Sequence, residues 1–558
     1  MKKKIIIAIV SVVVIASVIT AIILPKGIYE GGASATFEID LKNKKGVASN
    51  VVSNNNIWDM GEAFYNPTVN EENNPFEFVE YVQFMQCSGG TEDRDLFKDP
   101  KNFDVLDDYD FEPLIKNCAG VLKLGAKPHL KLGSVPLKYT KGNLQDGFGM
   151  NVYPPDDYDV YYDYIYALAS ALVNEFGKEE LLSWRFGVMT EYENWDWFRT
   201  KSEKPEDAAT EFCKLYDYTV QALIDAIGED VFVGAHSMTV TEGHWDEEIF
   251  IEHIAKGKNY ANGKTGTRVC FLSASFYDYS PEEYTEGYTL PETIDFIRSA
   301  AEKHGLKNLI YGVDEGRLLV GLNSGKDNDE LLSRTVGYTY QAAYDARLWK
   351  QCLDNDINYF SSWSFLTNGI CDGYPTISYH VAKNIAQFKG AEKVGVNKID
   401  DKPTQFKVEM DAVSVFDEET KTLRVMAYNF KNKLDYDEEA NFDFKVDLSE
   451  YGYKVANIKT TYVNDDCNFF DEWQEDRKKY NITDDAFAWS PDDPCLDSPI
   501  TLADAKAQEI YRTELRDKYI ECSKEVSVNQ EIALQDGVLS FGNIVKGNSV
   551  VFYEITFK

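Results

Sequence analysis

The 558-residue chain is too long for one ordinary domain, and its 44% hydrophobic and 14% aromatic content supplies packed cores and excludes a largely disordered polymer. Lysine and arginine number 57 against 93 aspartates and glutamates, a net charge of −36 that repels phosphate backbones and excludes nucleic acid as a partner. A neutral or cationic ligand suits such a chain, neutral sugars included.

Lys2 to Lys4 precede an uncharged apolar run from Ile5 to Leu24, long enough as a helix to cross about 30 Å of hydrocarbon. The run exceeds the usual signal-peptide core of about 7 to 15 residues. Residues 1–28 therefore read as a membrane anchor in preference to a cleaved signal, although Ala33 to Ala35 would serve for cleavage. The lysines hold the N-terminus inside, which puts the rest outside the cell, tethered or secreted. Residues 29–50 are a linker whose ATFEID stretch, Ala35 to Asp40, has strand character and is expected to pack with the C-terminal sheet.

From 51 to 390, β-rich runs alternate with amphipathic helical stretches, the pattern of a parallel sheet under covering helices. Eight strands are predicted: near Val51, Tyr81 to Met85, Lys127 to Leu132, Ser183 to Met189, Val231 to Ala235, Val269 to Ser275, Leu309 to Val313, and Tyr359 to Ser364. Helices are expected over Asp156 to Phe176, from Pro205 to Gly228, over Pro291 to His304, and over Glu330 to Leu353. Gly177, Gly228 and Gly305 stand where left-handed C-caps are needed. The number and spacing predict a (β/α)8 barrel of the TIM type. A doubly wound sheet is disfavoured because no glycine-rich phosphate turn follows the first strand.

From 391 to 558 the helices give way to alternating runs such as TLRVMAYNF, ANFDFKVDL and SVVFYEITF, read as an antiparallel β-sandwich. Helical material interrupts it around Leu502 to Tyr519, and Asn464 to Asp497 reads as a long surface insertion. Nine cysteines fall at irregular spacing without a C-x-x-C pair, so neither a metal site nor a full disulfide framework is signalled. Cys467, Cys495 and Cys522 are the best placed to pair.

Catalytic side chains of such barrels project from the C-terminal strand ends. The fourth strand ends in WRFGVMTEYENWDWF, with Glu191 and Glu193 beyond the apolar run, and the seventh in LIYGVDEGRLL, with Asp314 and Glu315. Hydrolysing a glycosidic bond needs one carboxylic acid to protonate the departing oxygen and a carboxylate on the opposite face, which two strands of one rim supply. Asp314 and Glu315 point to opposite faces of a strand; Asp314 then caps or pairs with Arg317, and Glu315 is preferred. His236 ends strand five and is placed to donate toward the acid. His129 and Lys131 on strand three are candidates for sugar hydroxyls or a substrate carboxylate. Trp195, Trp197, Trp245 and Trp363 are core residues or stacking platforms for sugar faces, with Trp363 the preferred platform.

The fourth-strand end resembles the W-x-F-x-V-x-N-E-P signature of the large barrel clan of retaining glycosidases. Within that clan the chain most resembles glycoside hydrolase family 39, the β-xylosidase and α-L-iduronidase family, over roughly Val51 to Phe388 and the trailing sandwich. QCSGGTEDRDLF, KPHLKLGSVP, FLSASFYDY and YFSSWSF extend the likeness in order. The resemblance implies Glu191 as acid/base in preference to Glu193, Glu315 as nucleophile, Tyr277 as hydrogen-bond donor to that nucleophile, and no metal or cofactor. Three positions depart from it: Thr190 stands for the asparagine that contacts the sugar 2-hydroxyl, Tyr192 for proline, and Ser275 for histidine. The expected activity is therefore retaining hydrolysis of poly- or oligosaccharides, foremost β-xylosidase-like exo action. The alternatives are another glycan, such as a uronic acid, arabinose or an exopolysaccharide, or a non-catalytic carbohydrate-binding envelope protein.

Overall fold

The computed structural model describes residues 32–61, 64–65, 67, 74–239, 243–278, 288–318, 338–361, 376–486 and 502–558. The apolar N-terminal run, Trp363 and Cys495 lie outside them. None of the described helices is long and apolar enough to cross a membrane.

Eight short strands line up in chain order as one parallel sheet: Asn54–Asp59, Tyr81–Gln86, Lys127–Leu132, Arg185–Val188, Val233–Ser237, Phe271–Asp278, Ile310–Leu318 and Tyr359–Phe360. The Phe360 N–H donates to Val51 O at 2.8 Å, which joins the eighth strand to the segment entering the first and makes the sheet barrel-like. The strands are buried on both faces, as a sheet covered outside and filled inside requires, and strands three and five carry polar side chains inward, with His129 and Lys131 on the former and His236 on the latter. The helix Pro205–Ile227 buries Phe212, Leu215, Tyr216, Val220 and Leu223 along one stripe. The helix Leu290–Lys303 begins with a reciprocal capping box between Thr289 and Glu292. Gly177 and Gly228 end their helices at φ 83° and 137°, but with ψ 154° and 166°. Glycine is needed there, although the backbone leaves the helix extended rather than as a left-handed cap.

Strand seven differs most from expectation. It runs on to Leu318, and its register against strand six slips between Val313 and Glu315. The slip is a β-bulge at Asp314. Strand alternation breaks there, so Asp314 and Glu315 both face the barrel interior instead of opposite sides. Asp314 bonds Lys131 and the Tyr359 hydroxyl, while its carbonyl accepts from Asn56 and Gln83. The expected Asp314–Arg317 pair is absent, and Arg317 instead grips Asp345 and Ser378.

The second sheet is one nine-stranded sheet rather than two antiparallel ones. The strand Ala33–Val47 enters it as expected, antiparallel to Glu392–Lys402 and parallel to Ala440–Asp447, which makes the sheet mixed. Phe37 stacks on Phe442 and Phe444, and Tyr553 meets Phe444 from five strands away and Phe541 from six, so the sheet curls over its own apolar core. Tyr340 and Tyr344, on the helix Tyr340–Asp354 before barrel strand eight, dock on Phe430 of this sheet. Within the expected surface insertion, Phe470–Tyr480 is a helix. Phe469, Trp473, Tyr511 and Tyr519 give it a small core of its own. Cys467 and Cys522 are free thiols, against the pairing expected of them.

Candidate active site

The fourth strand stops at Val188, and the chain then turns through two residues with left-handed backbone, Met189 at φ 64° and Glu191 at φ 43°. Residues with a Cβ adopt such angles only where surrounding contacts impose them. Here the Met189 N–H donates to Leu132 O at 2.7 Å, the Tyr192 N–H to His236 O at 3.0 Å, and the Asn194 N–H to Glu191 O at 2.7 Å. Gly133 permits the approach, because a Cβ on it would lie 2.9 Å from Met189 N.

The turn aims Glu191 into the barrel mouth, where it is buried. Oε1 accepts from the Ser275 hydroxyl at 2.5 Å and Oε2 from the Asn194 amide at 2.7 Å, with the Trp197 indole also donating toward the carboxyl. Glu315 reaches the same space from strand seven. Its Oε1 accepts from the Tyr277 hydroxyl at 2.6 Å, and its buried Oε2 has no partner among the described residues. Burial and the charge of Glu191 push Glu315 up to about 8, against the opposing pull of Tyr277 and Lys131. Burial raises Glu191 as well, against its hydroxyl and amide donors. Two carboxyls that disfavour each other's charge titrate as a pair and retain one proton between them near neutral pH.

Tyr277 occupies the place expected of it. Thr190 is buried at the same turn, and its hydroxyl has no partner among the described residues. His236 reaches Glu191 only through Ser275, whose Oγ lies 2.9 Å from His236 Nε2, and burial holds the imidazole neutral, well below its ordinary range. Ser275, which replaces the expected histidine, thus joins a histidine of the neighbouring strand to the carboxyl.

Three expected site residues do not converge here. His129 pairs in register with Arg185, the first residue of strand four, and lies 3.4 Å from Asn54, the first residue of strand one. It belongs to the lower end of the barrel, away from the mouth. Lys131 is buried against Asp314 and acts on the two glutamates only through its charge. Trp195 turns away to stack edge-on against His244 and over Arg199. Asn194 and Trp197 contact Glu191 instead. Asn194 carried no signal beyond its position three residues after Glu191, the spacing at which a turn folds a side chain back.

Glu193, the sequence competitor, is directed elsewhere because the left-handed turn at Glu191 breaks strand alternation. It accepts from the Ser237 hydroxyl at 2.6 Å and the Met238 N–H at 2.7 Å, and burial pushes it up to about 8. Between the ordinary carboxyl range and about pH 8 the unfolded chain has released this proton and the folded chain keeps it, so stability falls as pH rises through that window. Glu193→Gln removes the penalty. Its stability is expected to gain on wild type from pH 5 to pH 8, by on the order of 1 kcal/mol or more at the upper end, read as a rising melting-temperature difference, with turnover retained. Parallel melting curves at the two pH values, with an activity assay, check both parts.

Residues 93–475 match the model of the family described as glycosyl hydrolases family 39. A β-xylosidase of Geobacillus stearothermophilus is 25% identical over 138 residues, which span 25% of this chain and 26% of that relative. Among solved structures, a monomeric β-xylosidase from Caulobacter crescentus CB15 superposes with a TM-score of 0.61 at 15% identity, covering 94% of this chain and 99% of the other. A family 39 enzyme from Xanthomonas axonopodis pv. citri gives 0.61 at 12% identity over 96% and 99%. A bacterial orthologue of human α-L-iduronidase gives 0.62 at 13% over 94% and 84%. At these identities the superpositions establish a shared fold.

Proposed function

The chain belongs to glycosyl hydrolase family 39 and is a glycosidase, and from that premise we propose that it hydrolyses neutral β-xylosides, from the chain end, by a retaining double displacement on Glu191 and Glu315. The observation that carries this reading is the pair itself: a buried Glu191 from the end of strand four and a half-buried Glu315 from strand seven, its free Oε2 buried, facing one space and coupled through their charges. In the first step a Glu315 oxygen attacks the anomeric carbon as the glycosidic C–O bond breaks, and the Glu191 proton passes to the departing oxygen. In the second, Glu191 takes a proton from water, whose oxygen displaces Glu315 and restores it as a carboxylate. Tyr277 holds the nucleophile in place, and Asn194 and Ser275 hold the acid.

Charge supports a neutral sugar over a uronic acid. Lys131, expected as a candidate for a substrate carboxylate, and Arg317, near the end of strand seven, are each committed to a buried aspartate, Asp314 and Asp345. Freeing either would leave an unpaired buried charge. The xylose preference leans on the names of the Geobacillus and Caulobacter relatives. The apolar N-terminal run supports a place on the outer face of the cell membrane.

Assaying the full chain against aryl glycosides is expected to give turnover of the β-xyloside and none of the α-L-iduronide. Turnover of the iduronide alone overturns the neutral-sugar reading, and inertness across the whole panel favours a non-catalytic binding protein.

A further inference from the structure

The short hairpin Gln145–Asn151, between the third barrel strand and the helix Tyr158–Phe176, places an aromatic ring at the barrel mouth. Phe148 at its tip is 46% exposed, yet its ring stacks on Trp197 with centroids 4.6 Å apart and planes 21° apart. Trp58, near the end of barrel strand one, meets Phe148 edge-on at 5.9 Å and Trp197 at 5.7 Å. Trp197 is itself buried and donates toward Glu191. Three rings from three separate rim segments therefore form one apolar surface that starts at Glu191 and ends in solvent at Phe148.

The tip is anchored. Asp146 pairs with Arg199, the Asn151 N–H donates to Gly90 O at 2.8 Å, and a Cβ on Gly147 would lie 2.5 Å from Asp196 O. Gly147, at φ 55°, thus sits directly on the loop that carries Glu191 and Trp197. A half-exposed phenylalanine fixed in this way offers a rigid flat face, and the C–H face of a pyranose is its natural partner.

We propose that Phe148, backed by Trp197 and Trp58, is the platform on which the leaving-group sugar of an oligosaccharide stacks while its glycosidic oxygen is protonated. The side of the cleavage point follows from Glu191: the group that protonates the departing oxygen stands on the leaving-group side, and the aromatic surface begins there. The inference rests on the acid role proposed for Glu191 and goes beyond it by assigning a binding site for a neutral pyranose.

The test compares full-length wild type, Phe148→Ala and Phe148→Tyr on β-1,4-xylobiose and on β-xylosyl fluoride, whose leaving group is a single atom. In the alanine variant the loss of kcat/KM on xylobiose is expected to exceed the loss on the fluoride by roughly five- to tenfold, the scale of one lost ring contact, with tyrosine restoring most of it. Equal losses on both probes, or none on either, overturn the platform. A wild type active on the fluoride but not on xylobiose also overturns it while sparing the two-glutamate chemistry. Inertness on both refutes the xyloside reading, and the platform with it.

Discussion

Glu315→Gln is expected to lose turnover on every glycoside, activated or not, by about 10⁴- to 10⁶-fold, the scale on which an enzyme suffers when its covalent nucleophile is removed. The amide is nearly isosteric, so the Tyr277 hydroxyl keeps an acceptor and the fold is unaffected. What disappears is the electron pair that attacks the anomeric carbon. A good leaving group shortens only the step that breaks the glycosidic bond and supplies no substitute for that attack. A panel running from aryl glycosides with acidic phenols to unactivated disaccharides therefore shows one uniform loss.

Glu191→Gln is expected to behave differently across the same panel. Proton donation contributes about 10²- to 10⁴-fold where the departing oxygen is basic. Disaccharides bear that full loss, whereas an aryl glycoside whose phenolate departs unaided retains most of its first step. Its second step still lacks a base for water, and added azide, which needs none, is expected to restore turnover as a glycosyl azide. The pH profile carries an independent sign. In the wild type, rising pH removes the last proton of the pair, so activity falls above about 8, where burial and mutual repulsion have pushed Glu315. In Glu191→Gln the repulsion is gone and Glu315 ionises at lower pH. The residual activity on activated substrates is expected to lose that alkaline limb, as a pH series on one aryl glycoside would show.

Most of the parallel strands were legible because they are short apolar runs bounded by a turn or a glycine stop, and periodicity and spacing are properties of a few neighbouring residues; the first, NNNIWD, is polar over its first three residues and begins at Asn54, beyond the place near Val51 expected of it. Both glutamates were legible for the same reason, each lying just beyond such a run. The bulge at Asp314 was not, because it exists only as a slip in register against strand six, a relation between residues about 40 positions apart. It decides that Lys131 serves Asp314 and not a substrate. His129 was misplaced by the same kind of ignorance, since a strand three to four residues deep in the barrel separates floor from mouth and only pairing with Arg185 and Asn54 fixes the level. Ser275 was noticed for what it replaced, but its link from His236 to Glu191 requires three strands in register. In the C-terminal part, alternation located the strands without disclosing that Ala33–Val47 lies parallel to Ala440–Asp447, because strand direction is set by a connection some 400 residues long. Phe148 had no local signal at all: one aromatic residue between two glycines acquires meaning only when Trp197 and Trp58 arrive beside it.

The central claim is that Glu315 forms a covalent bond to the sugar while Glu191 moves the protons. Incubating the full-length wild type with an activated 2-deoxy-2-fluoro-β-xyloside, which slows release of the glycosyl enzyme, and mapping the product by peptide mass spectrometry tests it most directly. The account predicts the fluoroglycosyl mass on the peptide bearing Glu315, as an ester to that side chain. A label on Glu191, on Glu193 or on any other residue, or turnover of the parent xyloside with inverted configuration and no label, would contradict it.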